Sequence, residues 1–269
     1  MKNISRDKKP SRMAMLIDGD NAQPSLIVKL LAEAGKYGPP TIRRIYGDWT
    51  TPQMNGWKEC LNNHAIQPIQ QFRYTVGKNA TDSALIIDAM DLLHSELVDG
   101  FCIVSSDSDY TRLATRIREA GIFVMGIGQR KTPKPFVNAC NVFIFTENLT
   151  DDIDERKIEE AGKGAENGKG GQKPNPLPIL KEAFVMAADE DGWAHLGAIG
   201  ANLRQLDPSF DSRTFGYGQL LQLIKAYKDV FTIRKEDEKG PSAVYVKLKD
   251  KRRSSRSRKK APEPMVNKV

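Results

Sequence analysis

The sequence predicts an α/β protein, a parallel sheet with helices on both faces, joined to a small C-terminal α+β unit. Three observations predict it. From Met13 to about Thr146, short apolar runs alternate with stretches of helical period, the spacing of βαβ units. At Thr150 the composition changes to charged residues and glycine with almost nothing apolar. Beyond that stretch, three helical patterns are followed by two short β-type runs.

In chain order, strands are expected at 13–18, 41–47, 66–70, 100–105, 122–127 and 142–145. Helices are expected between them at 24–36, 53–63, 80–97, 108–120 and 133–139. Pro24 suits the first turn of the first helix, with Asn21 as its cap. Gly35, Gly38 and Pro39-Pro40 stop that helix, and Gly121 ends the fourth. The 80–97 segment is apolar around most of its circumference, which predicts a buried central helix with Thr81 or Asp82 at its start. Residues 150–175 contain Gly-Lys-Gly and Gly-Lys-Gly-Gly and read as a flexible linker. The second unit, 176–249, has expected helices at 177–189, 195–206 and 216–228. The β-type runs 230–234 and 243–248 follow, so three helices precede a hairpin, the winged-helix pattern.

Charge is unevenly placed. The net charge is +7, and residues 251–269 hold eight Lys or Arg against Glu263 alone, so the tail accounts for all of it. Lys-Arg-Arg-Ser-Ser-Arg-Ser-Arg-Lys-Lys predicts a disordered, self-repelling tail over 250–269 that attracts polyanions by counterion release. A second basic extension covers residues 1–12 and lacks a signal-type apolar stretch. No apolar run approaches the roughly 20 residues that span a bilayer. The three cysteines, Cys60, Cys102 and Cys140, are far apart and in no metal-ligand spacing. Together these features predict a reduced, cytoplasmic protein without a membrane partner.

The chemistry gathers in three acidic segments. Met-Leu-Ile-Asp18-Gly-Asp-Asn21 closes the first apolar run, Asp82 opens the third helix, and Asp107 and Asp109 follow Gly-Phe-Cys-Ile-Val-Ser-Ser. In an open α/β sheet, groups at the carboxyl ends of strands share one crevice. Asp18, Asp82, Asp107 and Asp109 are therefore expected to meet as hard oxygen ligands for Mg²⁺ or Mn²⁺. Asp88 and Asp91 fall roughly 120° and 180° around the helix from Asp82, at about 100° per residue, and cannot join it. Asp82 has a second reading, a carboxylate favoured by the helix dipole. Ser105, Ser106 and Ser108 border the carboxylates, and Arg73, Lys78 and Arg112 are the cations nearest in sequence for a phosphate backbone. Tyr46, Trp49 and Tyr74 stand near segments leaving the sheet, as base-stacking rings or as core.

Asp18-Gly-Asp20 after a strand also resembles phosphatases of the haloacid dehalogenase type, although Asn21-Ala22 departs from their motif. A wider resemblance covers about three quarters of the chain. Leu-Ile-Asp18-Gly-Asp-Asn21-Ala, Gly-Lys-Asn-Ala-Thr-Asp82-Ser-Ala-Leu-Ile-Ile-Asp88 and Val-Ser-Ser-Asp107-Ser-Asp109-Tyr-Thr-Arg-Leu resemble the NYN family, its bacterial LabA-like group above all, within the PIN-like nucleases. Glu190-Asp-Gly-Trp193-Ala-His-Leu and Arg213-Thr-Phe-Gly-Tyr217-Gly-Gln-Leu-Leu resemble an OST-HTH/LOTUS domain.

The resemblance implies a PIN-like nuclease domain over 13–149 and a LOTUS winged-helix domain over 176–249. It implies a Mg²⁺- or Mn²⁺-dependent endoribonuclease whose ligands fall on Asp18, Asp82 and Asp107, with Asp109 the fourth. Asn21 and Ser106 would support substrate or ligand geometry, and Arg73 or Lys78 would engage phosphate. Ser106 stands where the family commonly has Gly, which crowds the turn and leaves each carboxylate in place. The LOTUS unit would bring RNA to the nuclease or dock a protein partner, and PIN-like domains often pair, which allows a homodimer. The alternative function is a catalytically weak RNA-binding regulator.

Overall fold

The computed structural model describes residues 9–72, 80–150, 175–236 and 243–249. Arg73, Tyr74, Lys78, nearly all of the Gly-rich segment and the basic tail lie outside the described residues. Six strands form one parallel sheet: β1 (Met13–Asp18), β2 (Pro40–Gly47), β3 (Gln67–Gln70), β4 (Gly100–Val104), β5 (Phe123–Gly128) and β6 (Val142–Phe145). Their spatial order is β3-β2-β1-β4-β5-β6, so the winding reverses between β1 and β4. Both faces of β1, β4, β5 and β6 are covered, which is why these strands read as near-continuous apolar runs. β2 and the edge strand β3 are more polar and more exposed. Along β1 the side chains alternate between two cores. Ala14 and Leu16 join one, and Met13, Met15 and Ile17 join the other.

The helices divide between those cores. α1 (Ile27–Gly35) and α2 (Asn55–Asn63) cover one face through Ile27, Leu30, Ala34 and Trp57. α3 (Ala80–His94), α4 (Thr111–Glu119) and α5 (Lys134–Ala139) cover the other through Leu85, Leu113, Ile117 and Phe136. α1, α2 and α4 are each preceded by a short 3-10 turn, which takes up the first residues expected to be helical. Pro24 lies in the first turn as expected, but Gln23 is the N-terminal flanking residue and makes no side-chain cap. Asn21 is used elsewhere. Gly121, at φ +75°, terminates α4 as expected.

α3 departs from its expected burial. Thr81, Leu85, Ala89 and Leu92 are buried, but Ile87 is 63% exposed. Helical spacing presents one stripe fully to the sheet; Ala84, Ile86, Met90 and Leu93 are partly buried against the same core, and Ile87 faces out. The helix ends at His94 and not at Leu97, because Glu96 adopts a left-handed φ of +53° and turns the chain. A one-turn helix, α6 (Glu147–Thr150), closes the sheet domain.

In the C-terminal unit, α7 (Leu177–Ala187), α8 (Leu196–Leu206) and α9 (Leu220–Ala226) pack on an antiparallel sheet of order β7-β9-β8. The strands are β7 (Ala194–His195), β8 (Phe231–Glu236) and β9 (Ala243–Leu248), with β7 an addition to the expected hairpin. Leu180, Phe184, Ile199, Leu203, Leu223, Phe231 and Val246 form its core. The third helix starts later than expected. Gly216 at φ +87° ends a separate 3-10 turn, Ser212–Phe215, and Gln219 begins α9 with a capping box to Gln222.

The two units touch. The backbone N–H of Phe143, on the outer edge strand β6, donates to the Pro208 carbonyl at 2.8 Å. The Asn148 amide donates to Thr214 Oγ1 at 3.0 Å. Arg213 donates through both terminal nitrogens to Glu33 on α1, at 3.0 and 3.1 Å, and also pairs with Asp211. The C-terminal unit thus covers part of an edge that would otherwise present unpaired backbone groups. Contact, as well as the intervening chain, holds it to the sheet domain.

Candidate functional site

Asp18 is the last residue of β1 and is fully buried. Ser105 Oγ and Asn21 Nδ2 donate to its Oδ2 at 2.8 and 2.7 Å, and the Asp20 N–H donates to Oδ1 at 3.1 Å. Burial pushes its carboxyl above the usual range, opposed by the Ser105 and Asn21 hydrogen bonds, and nearby Asp82 pushes it further up. Asn21 is therefore one of three donors that pin Asp18.

The turn after Asp18 has no room for a side chain at Gly19. A Cβ there would stand 2.7 Å from the Tyr46 carbonyl oxygen and 2.6 Å from Met54 Cε. That same closeness lets the Gly19 N–H donate to the Tyr46 carbonyl at 2.9 Å and carries the β1–β2 alignment past Asp18. Gly19→Ala is expected to destabilise the fold by roughly 1–3 kcal/mol, the usual cost of overpacking. Chemical denaturation would measure it, and an unchanged midpoint would show that the turn can yield.

The other three carboxylates come from the helices beyond the sheet. Asp82 sits in the first turn of α3, Asp107 caps the 3-10 turn Ser108–Tyr110 between β4 and α4, and Asp109 lies within that turn. One carboxylate oxygen from each lies within 4.8 Å of the others. Asp107 Oδ1 accepts from the Asp109 N–H at 2.9 Å, and the Asp107 N–H donates to Ser105 Oγ at 3.1 Å. Ser105 thus links the Asp18 end of β1 to the Asp107 turn. Tyr110, which follows Asp109 and is fully buried, donates its hydroxyl to Asp82 Oδ1 at 2.6 Å.

Three like charges this close disfavour one another's ionisation. The Asp82 carboxyl is raised, first by burial and then by Asp107, Asp109 and Asp20, with the Tyr110 hydrogen bond opposing. Burial and the adjacent carboxylates keep the Tyr110 hydroxyl protonated, so it remains a donor. An all-oxygen set with excess negative charge fits a hard divalent cation. The group lies at the carboxyl side of β1 and β4, where the strand order reverses and open α/β sheets bind ligands. At the same strand ends, Asn21, Gln23, Ser105, Ser106 and Gln129, with the apolar Leu26 and Leu30, line a depression.

Other residues named from the sequence are placed differently. Ser106 Oγ accepts from the Gln129 N–H at 2.8 Å and so ties the β4 and β5 ends together. Asp88 accepts from Arg44 and the Tyr46 hydroxyl across the α3–β2 contact, away from the acidic group. Tyr46 is fully buried by that contact. Trp49 donates its indole N–H to the Ile69 carbonyl at 3.1 Å and packs on the core. Those two rings serve packing, not base stacking. Arg112 is exposed in the first turn of α4, and Asp91 is exposed. Tyr110 was missed, although it directly follows Asp109 at the start of a helix, where a side chain turns back toward the preceding strand end.

A parallel α/β domain with an acidic crevice at its switch point, followed by a small winged unit, defines the class. The chain belongs to the NYN domain family: that family's model matches residues 12–150, and the OST-HTH/LOTUS domain model matches residues 173–243. NYN domains fall in a nuclease-like superfamily, and OST-HTH/LOTUS domains point to RNA binding. Among solved structures, a protein of unknown function from Vibrio parahaemolyticus is 17% identical with a TM-score of 0.44. It matches 55% of this chain and 98% of its own. An uncharacterised protein from Nitrosomonas europaea is 32% identical with a TM-score of 0.27, over 32% of this chain and 85% of its own. No curated protein matches. Among the described residues, no helix is long and apolar enough to cross a membrane.

Proposed function

We propose that the sheet domain is a divalent-metal-dependent endoribonuclease and that the C-terminal domain engages RNA for it. The observation that carries this reading is the convergence of Asp82, Asp107 and Asp109 beside Asp18 in a chain of the NYN family. Asp82, Asp107 and Asp109 would hold Mg²⁺ or Mn²⁺. Such an ion supplies charge stabilisation for a reacting phosphodiester and an acidified water. Tyr110 holds the Asp82 carboxylate in place, and Ser105 ties the Asp107 turn to Asp18. Asp18, which accepts three hydrogen bonds, fixes the turn and adds negative potential, and its Oδ1 would have capacity for a further ligand contact. The motif resemblance to the LabA-like group supports the same reading.

Incubating an end-labelled, structured single-stranded RNA with Mn²⁺, Mg²⁺ or EDTA tests this. Internal cuts are expected with either cation, none in EDTA, and recovery when the metal is returned. Cutting that continues in EDTA would remove the metal from the reading. RNA that is bound but never cut would make the protein a catalytically weak RNA-binding regulator.

A further inference from the structure

The outer face of the C-terminal sheet carries side chains unusual for a solvated face. Register puts His195 of β7, Tyr245 of β9 and Arg234 of β8 in one row across three strands. Lys247 and Thr232 form the next row. The alternate residues, Ala194, Val246, Ile233 and Phe231, turn inward to the core. Trp193, just before β7, lies beside these rows. The Arg234 guanidinium carbon is 4.5 Å from the Trp193 ring centre and 5.4 Å from that of Tyr245. Lys247 Nζ lies 5.7 Å from the Trp193 ring and donates to the Asp191 carbonyl at 2.9 Å. The His195 ring meets Tyr245 edge-on at 5.6 Å.

Single strands are bound by flat π-surfaces that stack bases and by cations that track the backbone. A guanidinium plane also accepts a stacked base. The Arg234 guanidinium packs over Trp193 and Tyr245, so a base would stack on the solvent side of this layer, and Arg234 and Lys247 supply positive charge. The neighbouring turn bears Asp189, Glu190 and Asp191, so this face is not a general trap for polyanions. Its affinity must come mainly from stacking, which requires unpaired bases.

We propose that the Trp193–Arg234–Tyr245 row, with Lys247, is a stacking site for unpaired bases of single-stranded RNA. This rests on the reading that the chain acts on RNA, and it names the surface of the C-terminal domain that would hold the strand. Two cations give the site a shallow salt dependence, a log–log slope no steeper than roughly −1.4.

The test uses the full chain in EDTA, at salt high enough to suppress weak polyanion binding, with a fluorescein-labelled single-stranded RNA of mixed sequence. Arg234→Ala and Tyr245→Ala are each expected to weaken binding by roughly tenfold, the effect of losing one stacking partner. Tyr245→Phe keeps the ring and should bind like wild type. Arg234 is exposed, so its variant remains informative even where Tyr245→Ala disturbs the hairpin. Wild-type affinity in Arg234→Ala, or equal affinity for a duplex of the same sequence, would overturn the stacking site and leave RNA binding intact. A wild-type chain that neither binds nor cuts RNA would overturn the functional reading as well.

Discussion

Replacing Asp107 by Asn is expected to lower metal-dependent RNA cleavage at least about a hundredfold, about 2.7 kcal/mol of transition-state stabilisation, while RNA binding persists. The structure makes this the cleanest of the charge-removing changes. Asp107 caps its 3-10 turn through Oδ1, which accepts from the Asp109 N–H, and an Asn keeps that acceptor. The change therefore removes charge and spares local structure. Because Asp107 sits among mutually repelling carboxylates, the metal-free variant should melt no lower than wild type. Asp18→Asn is harder to interpret. Oδ2 of Asp18 accepts from both Ser105 and Asn21, and Oδ1 accepts from the Asp20 N–H, so an amide NH₂ in either place meets a donor. Activity that survives Asp107→Asn, and survives the double change with Asp18→Asn, would place the reacting centre elsewhere.

The strands were legible because a sheet buried on both faces leaves its apolar residues in unbroken runs. Met13–Ile17 and Phe101–Val104 are such runs, and each ends where the polar residues begin. The crevice was legible for the same reason: the topology of parallel βαβ units dictates which strand ends adjoin. What the strand pattern cannot specify is how a helix is rolled against the sheet. The composition of α3 suggested burial all round. Its actual roll buries Leu85 and Ala89, leaves Ile87 in solvent, and aims Asp88 at Arg44 and Tyr46. Tyr110 is a similar case, since its hydroxyl meets Asp82 only after α3 and α4 have packed. Local turn chemistry was readable at Gly121. It was misread at Asn21, where a buried carboxylate three residues back outcompeted the helix end for the amide.

Contacts between the two units were not legible at all, and one of them carries the second large expected effect. Arg213→Ala should release the C-terminal unit from the sheet domain. Glu33 is a buried acid on α1, 4% exposed, and Arg213 reaches it from 180 residues away with a two-nitrogen grip. Removing one partner of a buried pair costs about 3–5 kcal/mol because the other charge is stranded. Lys36 also pairs with Glu33 but is well exposed, so it offsets only part of that cost. Undocking lets water reach Glu33 without unfolding either core, and it is therefore the cheaper response. In Arg213→Ala, two separate melting transitions and independent tumbling of the domains by NMR relaxation are expected. Arg213→Lys should restore docking only in part, since an ammonium cannot form the paired contact. A charge swap, Glu33→Arg with Arg213→Glu, should also fall short, because Asp211 would face the new carboxylate. Glu33→Gln provides the remaining arm of a double-mutant cycle. If Arg213→Ala still tumbles as one body with an unchanged melting curve, the pair contributes nothing to docking. The Phe143–Pro208 and Asn148–Thr214 contacts would then have to hold the units together alone.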